Sequence, residues 1–203
     1  MVVDLDENVL AERFARRQLL PGYDERQEAG AGKRPVRRAA VLAPLLRENG
    51  AWSLLYIRRS DQLADHQGQV AFPGGGVEAS DPSPEATALR ETWEELGIEP
   101  KDVRVVGRLP GLLTGTGFSI QPVVGIIPWP YALRLSADEV AHAFTIPLSW
   151  LAEPAHREER WYERDGRRAR VFFFAPYQGE VLWGATARMT VELLAILLDH
   201  PSS

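Results

Sequence analysis

The 203-residue chain contains no cysteine, which excludes disulfides, thiolate metal sites and cysteine nucleophiles. Lysine is nearly as scarce, occurring only at Lys33 and Lys101, so arginine carries almost all of the positive charge. A preference that runs through the whole chain marks no single arginine as a phosphate ligand; position has to do that. No stretch approaches the roughly 18 apolar residues that a membrane-spanning helix needs. The opening segment, MVVDLDENVLAERFARRQLL, is interrupted by acids and lacks the basic start and apolar run of a signal peptide. The expectation is a cytoplasmic protein with no membrane partner. Basic excess is missing too. The formal net charge of −5 speaks against a nucleic-acid partner, because non-specific binding needs a concentrated basic surface.

What is present suits a single core: 45% of the residues are hydrophobic, at a length typical of one domain. Residues 5–19 predict an amphipathic helix, with Leu5, Val9, Leu10 and Phe14 near helical spacing. Residues 21–36, rich in Gly, Pro and charge, predict an irregular arm, so the expected division is an N-terminal helix and arm over 1–36 and a compact domain over 37–203. RRAAVLAPLL and WSLLYIRRS predict two strands joined by a turn at Glu48–Gly50. A loop from Asp61 to Gly68 leads to the short strand QVAF, closed by Pro73 and by Gly74, Gly75 and Gly76. Further strands are predicted at 103–109, 119–127, 158–164 and 169–175, a helical turn at PLSWLAE, and a closing helix over 185–199 with Met189, Leu193, Ile196 and Leu197 on one side. Strands mixed with few helices predict an α/β or α+β fold, a mixed β-sheet sandwiched between α-helices.

The chemistry gathers in one helix. Ser83-Pro84 offers an N-cap followed by proline at the first helical position, and Gly97 a C-terminal stop. On a helical wheel Ala86, Leu89, Trp93 and Leu96 form one face, expected to be buried. Glu91 and Glu95 are four apart and meet on a second face, with Glu94 beside them and in reach of Arg90. Two carboxylates at that spacing can share a hard cation such as Mg²⁺, which takes oxygen ligands and keeps several waters. A glutamate cluster on an amphipathic helix is usually only a solvated face. The upstream FPGGG changes the balance, because glycines let backbone amides and carbonyls come close to the helix.

At these residues the sequence resembles a family. GGVEASDPSPEATALRETWEELGI is similar to the Nudix box, G-x5-E-x7-R-E-U-x-E-E-x-G-U with U aliphatic. Arg90, Glu91, Glu94, Glu95, Gly97 and Ile98 match, and Thr92 fills the aliphatic slot beside Trp93. The first half departs: with Gly75 as the opening glycine, Asp81 stands where Glu is expected and eight residues precede Arg90; with Gly76, Pro82 takes that place. Gly75 with a one-residue extension keeps an acid there. Upstream, LLYIRRSDQLADHQGQVAFPGG resembles a signature of the Nudix branch that hydrolyses coenzyme A, matching at Arg59, Ser60, Gly68, Val70, Phe72, Pro73, Gly74 and Gly75. Ile57 replaces a threonine and Ala64 an internal arginine of that signature. TGTGFSIQPVVGIIP and LWGATARMTVELL also look like that branch, so the resemblance covers about residues 37–198.

The resemblance implies a Nudix-type fold, a homodimer, a Mg²⁺ or Mn²⁺ cofactor, and hydrolysis of a small-molecule nucleotide in which a nucleoside diphosphate is linked to a second group. For coenzyme A or acyl-coenzyme A the products would be 3′,5′-ADP and (acyl-)4′-phosphopantetheine. ADP-ribose, NADH or an oxidised nucleoside triphosphate are the other substrates to weigh, and a silent nucleotide sensor is the non-enzymatic alternative. By correspondence Glu91, Glu95 and the Gly75 carbonyl are metal ligands. Glu94 either binds a second ion or orients water, and Arg90 holds the acids. A general base from outside the helix falls on Glu139, with Asp138 its neighbour; the competing reading is an exposed loop acid. Arg58, Arg59, His66 and Gly74 are candidates for the substrate side, although Arg58 and Arg59 must point to opposite faces of a strand. His142, His156 and His200 share no metal spacing. The stripe Val171, Phe173 and Ala175, together with Trp161, Trp183 and Tyr177, reads as core rather than as a platform for adenine.

Overall fold

Strands β1 (Arg37–Glu48) and β2 (Ala51–Arg59) are near-continuous apolar runs because both faces of their sheet are covered. The computed structural model describes residues 6–18, 36–63, 66–164 and 167–198. Most of the predicted arm, Ala64 and His200 lie outside them. After β2 come β3 (Val70–Ala71), β4 (Gly74–Gly76), helix α2 (Pro84–Leu96), β5 (Arg104–Arg108), β6 (Leu112–Leu113), β7 (Phe118–Ile126), β8 (Val140–Pro147), the short helix α3 (Leu148–Leu151), β9 (Arg157–Arg164), β10 (Arg167–Phe174) and α4 (Gly184–Leu197); α1 (Glu7–Gln18) precedes them. The main sheet runs β3-β2-β1-β7-β5, with β4 paired to β1, β6 to β7 and β8 to β2, while β9 and β10 form a separate hairpin. The β1–β7 pair is parallel and the others antiparallel, which makes the sheet mixed as expected.

Alternation along β1 and β2 divides the core in two. Val41, Ala43, Leu45, Trp52, Leu54 and Tyr56 face a layer built from α1, α3, α4 and β10. Ala40, Leu42, Leu46, Leu55 and Ile57 face α2 through Ala88 and Leu96. Leu10 and Phe14 bury α1 in the first layer, whereas Val9 is exposed. The Tyr56 hydroxyl lies 2.9 Å from the Thr190 hydroxyl, which ties β2 to α4. In the closing helix Met189, Leu193, Ile196 and Leu197 are buried as predicted.

Three expectations are corrected. The buried face of α2 is Thr87, Ala88, Thr92, Glu95 and Leu96, whereas Trp93 is 47% exposed. Wheel position alone favoured the large aromatic, but the face that meets the sheet is set by Thr87, Ala88, Thr92, Glu95 and Leu96, and it leaves Trp93 to solvent. In the hairpin the order is inverted: Phe172 and Phe174 are buried, Phe173 is half-buried, and Trp161 and Trp183 are exposed. A shift of one residue along a strand exchanges its faces. The segment after Glu139, read only as the surroundings of an acid, is a strand paired along β2.

Gly74–Gly76 is more than a turn. Gly74 and Gly75 pair with Val41 and Ala40, so the glycines become a strand pressed on the central strand. A Cβ at Gly74 would stand 2.4 Å from the Ala40 carbonyl oxygen and 2.5 Å from Val41 Cα, and its φ of +152° suits glycine. A Cβ at Gly76 would meet nothing within 4 Å. Gly74→Ala should therefore cost about 1–3 kcal/mol of stability, the usual penalty of forcing atoms into packed backbone. Gly76→Ala should leave the stability within about 0.5 kcal/mol. Chemical denaturation of the two variants checks this contrast; equal losses would refute it.

Candidate active site

Helix α2 starts and stops as its sequence dictates. The Ser83 side chain accepts a hydrogen bond from the Ala86 N–H, Pro84 opens the helix, and Gly97 closes it in the left-handed conformation with its N–H on the Trp93 carbonyl. These caps fix the register that turns Glu95 inward and leaves Glu94 outward.

Glu95 is 1% exposed. One of its oxygens accepts the Gly74 N–H at 2.9 Å, and the other lies 3.7 Å from Arg59 Nη1. Burial pushes its pKa up to about 8, against the opposing pull of the Gly74 N–H and the Arg59 charge, while Glu139 and Glu91 push in the same direction as burial. Glu91 is also raised, again chiefly by burial, with Arg90 lowering it and Glu94 and Glu139 raising it. Gly75 makes room for this acid: a Cβ there would come within 2.5 Å of the Glu91 carboxylate.

Arg90 organises the entrance. Its guanidinium donates to both oxygens of Asp81 at 3.2 and 3.0 Å, to Glu91 at 3.0 Å, to Glu94 at 3.1 Å and to the Gly76 carbonyl at 3.0 Å. Asp81 is held in turn by the Glu78 N–H and the Thr87 hydroxyl, both at 2.9 Å. The Arg90 bonds hold the Asp81 carboxyl well below the usual carboxylate range, and Asp81 raises the Arg90 pKa reciprocally. The shifted acid of the box is thus an anchor for Arg90, a pairing across nine residues that no helical periodicity could reveal.

The remaining predicted residues divide sharply. Arg59 faces Glu95, and Glu139 is close enough to raise both Glu91 and Glu95 while its backbone carbonyl accepts the Ser60 N–H at 2.9 Å. Arg58 points to the other face, where it pairs with Glu180 at 3.3 Å and Asp61 at 3.6 Å. The alternation that allowed only one of the two arginines at the site is therefore realised. His66 is exposed, and its ring engages Gln69 at 2.9 Å rather than the acids. The Glu180 contact, which His142 shares at 3.2 Å, was missed because it joins segments far apart in sequence.

The donor set fits a hard divalent cation. Glu91 and Glu95 are carboxylates whose burial is poorly compensated, and the bare Gly75 backbone lies directly against the first of them. Among the described residues no three acidic or histidine side chains form a ready-made cage. Such a half-built site suits Mg²⁺, which takes one or two carboxylates and fills its shell with water and substrate phosphate.

A consequence for stability can be measured without metal. Between the ordinary value of 4.5 and about 8, the folded protein keeps a proton on Glu95 that the unfolded chain releases. Unfolding then releases a proton, so this group lowers stability as pH rises through that window. In a chelator, Glu95→Gln should flatten that decline and raise the unfolding free energy at pH 8 by on the order of 2 kcal/mol. Thermal melts of both proteins from pH 5 to 8.5 test it; parallel curves would contradict the burial argument.

The NUDIX domain model matches residues 36–176. An uncharacterized Nudix hydrolase, NudL, of Pectobacterium atrosepticum is 41% identical over 175 residues, covering 83% of this chain and 88% of the relative. The protein of the same name in Citrobacter koseri is 44% identical over 157 residues, covering 77% and 81%. In fold the chain is similar to a MutT/nudix family protein from Enterococcus faecalis, with TM-score 0.55 and 14% identity over 96% of this chain and 75% of that one. On the match of family model and relatives, the chain belongs to the Nudix hydrolase family and is an enzyme that hydrolyses a substrate built on a nucleoside diphosphate.

Proposed function

We propose that the chain is a coenzyme A or acyl-coenzyme A diphosphatase, cleaving the diphosphate to release 3′,5′-ADP and (acyl-)4′-phosphopantetheine. The observation that carries this reading is the Gly74 N–H bond to Glu95, with Arg59 on the other oxygen. Through it, the segment 59–75 that resembles the coenzyme A branch closes directly on the acidic helix. The upstream signature and the box are thus two sides of one site.

Glu91, Glu95 and the Gly75 carbonyl would hold Mg²⁺ or Mn²⁺. When bound, such an ion neutralises the diphosphate and lowers the pKa of water. The chain's own residues do the rest. Glu139, beside Glu91 and Glu95 on the turn before β8, is the group we assign to take the proton from the attacking water, with Glu94 either orienting that water or serving a second ion. Arg90 fixes the acids through Asp81, which leaves positioning and electrostatics as the source of rate. Gly74 and Arg59 stand on the substrate side. Arg58 and His66, occupied by Glu180 and Gln69, are left to shape the rim. The resemblance also supports a cytoplasmic homodimer, which light scattering of the purified protein would test; a monomer at all concentrations would exclude it. Among the described residues no helix is long and apolar enough to cross a membrane.

Purified protein incubated with Mg²⁺ or Mn²⁺ and, separately, coenzyme A, acetyl-coenzyme A, ADP-ribose, NADH and an oxidised deoxyguanosine triphosphate should release 3′,5′-ADP from the first two at the highest kcat/KM. Fast turnover of ADP-ribose beside inert coenzyme A would overturn the assignment. The alternative draws its support from Ala64, which stands where the branch signature has an arginine. Glu95→Gln should lower kcat by at least about a hundredfold on whichever substrate is used, the scale of losing an electrostatic contact to the transition state. Unchanged turnover would remove Glu95 from the machinery.

A further inference from the structure

Among the described residues, the Arg59 guanidinium makes no directional bond to the acid it faces. Its separation from Glu95, 3.7 Å, is beyond hydrogen-bond length. Its Nε is buried with no hydrogen-bond partner, while its side chain as a whole is 24% exposed. A guanidinium carries five N–H donors in a rigid fork, and leaving a buried one unmatched is costly. The backbone beneath it is fixed. Its N–H donates to the Gln69 carbonyl at 3.0 Å and it pairs with Val140 of β8, while on the opposite face of β2 Arg58 is bound by Glu180 and Asp61. Arg59 is therefore aimed at the buried carboxylate by a locked strand, yet makes no directional bond to it.

That combination describes a side chain in a temporary post. We infer that Arg59 stands against Glu95 only until a divalent cation takes that carboxylate, and that the released guanidinium then binds a substrate phosphate, so that metal and substrate binding are coupled through this one side chain. The inference rests on the metal-site reading above. A second cation at Glu95 repels Arg59, and a diphosphate offers paired oxygens that match its fork, including the donor now unpaired. Linkage makes the effect reciprocal: a phosphate that draws Arg59 away strengthens metal binding by the factor by which metal strengthens phosphate binding.

The test uses the full chain, Mn²⁺ and α,β-methylene-ADP, a diphosphate with an uncleavable bridge. Free Mn²⁺ is counted by its electron paramagnetic resonance signal, with and without the nucleotide, after subtraction of the Mn²⁺–nucleotide complex measured alone. In the parent protein the nucleotide should tighten Mn²⁺ binding by at least about fivefold more than in Arg59→Gln, the lower end of ordinary coupling factors. Arg59→Lys, which keeps the charge and loses the fork, should fall between the two and serves if the Gln variant does not fold. Equal coupling in parent and variants, or no nucleotide binding to the parent protein, would overturn the inference. Failure here beside brisk release of 3′,5′-ADP from coenzyme A leaves the substrate assignment standing. Coupling that is lost in the variants while coenzyme A stays intact removes the substrate assignment and keeps Arg59.

Discussion

A buried carboxylate is the constraint around which this structure is arranged. Glu95 sits inside the layer between α2 and the sheet with one backbone N–H and one distant guanidinium to offset its charge. An acid so placed is a liability in a core and an asset in a site that must attract a cation. The surroundings are explicable as its consequences. The glycine strand β4 has to lie flat on β1 so that the Gly74 amide reaches the acid. The part of the inner face of α2 beside the acid is small, at Ala88 and Thr92. The side chain of Arg59 has to be delivered by a strand whose neighbouring arginine is pinned elsewhere.

The outer half of the site follows a different logic. Glu94 and Glu91 share Arg90, which also reaches Asp81 and the Gly76 carbonyl, so the acidic face is braced from the solvent side by one cation. Like charges that would otherwise spread apart are kept at a fixed spacing. Inner and outer halves thus use arginine in opposite ways: Arg90 has nearly every donor engaged, and Arg59 has a buried donor with none.

Much of this was legible in the residues themselves. Ser83, Pro84 and Gly97 bounded α2, since caps are local chemistry. The apolar runs of β1 and β2 foretold two strands, the mixture of strands with few helices a sheet between helices, and the spacing of Glu91 and Glu95 placed their side chains near one another. The wheel failed at Trp93 because amphipathicity ranks residues by transfer free energy, whereas the inner face of α2 is selected by space. The motif correspondence, which put Thr92 in the aliphatic slot, carried that spatial information where periodicity did not. The hairpin was misjudged by one residue because Phe172, Phe173 and Phe174 are equally apolar and only their partners decide which turn inward. Asp81 with Arg90, Glu180 with Arg58, and the pairing of β8 along β2 depend on contacts between distant segments, which no single window contains.

The parallel pairing of β1 with β7 has a consequence for synthesis. Arg37 meets Phe118, and Leu45 meets Ile126, so the central strand cannot complete its ladder until more than half of the chain has left the ribosome. The loop closed by that pairing contains β4 and the whole of α2. The central strand is thus made early and satisfied late, and the acidic helix is enclosed by a long-range step rather than by a local one. Such an order slows folding and lengthens the interval in which an unpaired apolar strand is open to wrong partners. Residues 37–48 are the stretch left open to wrong partners until residue 126 arrives.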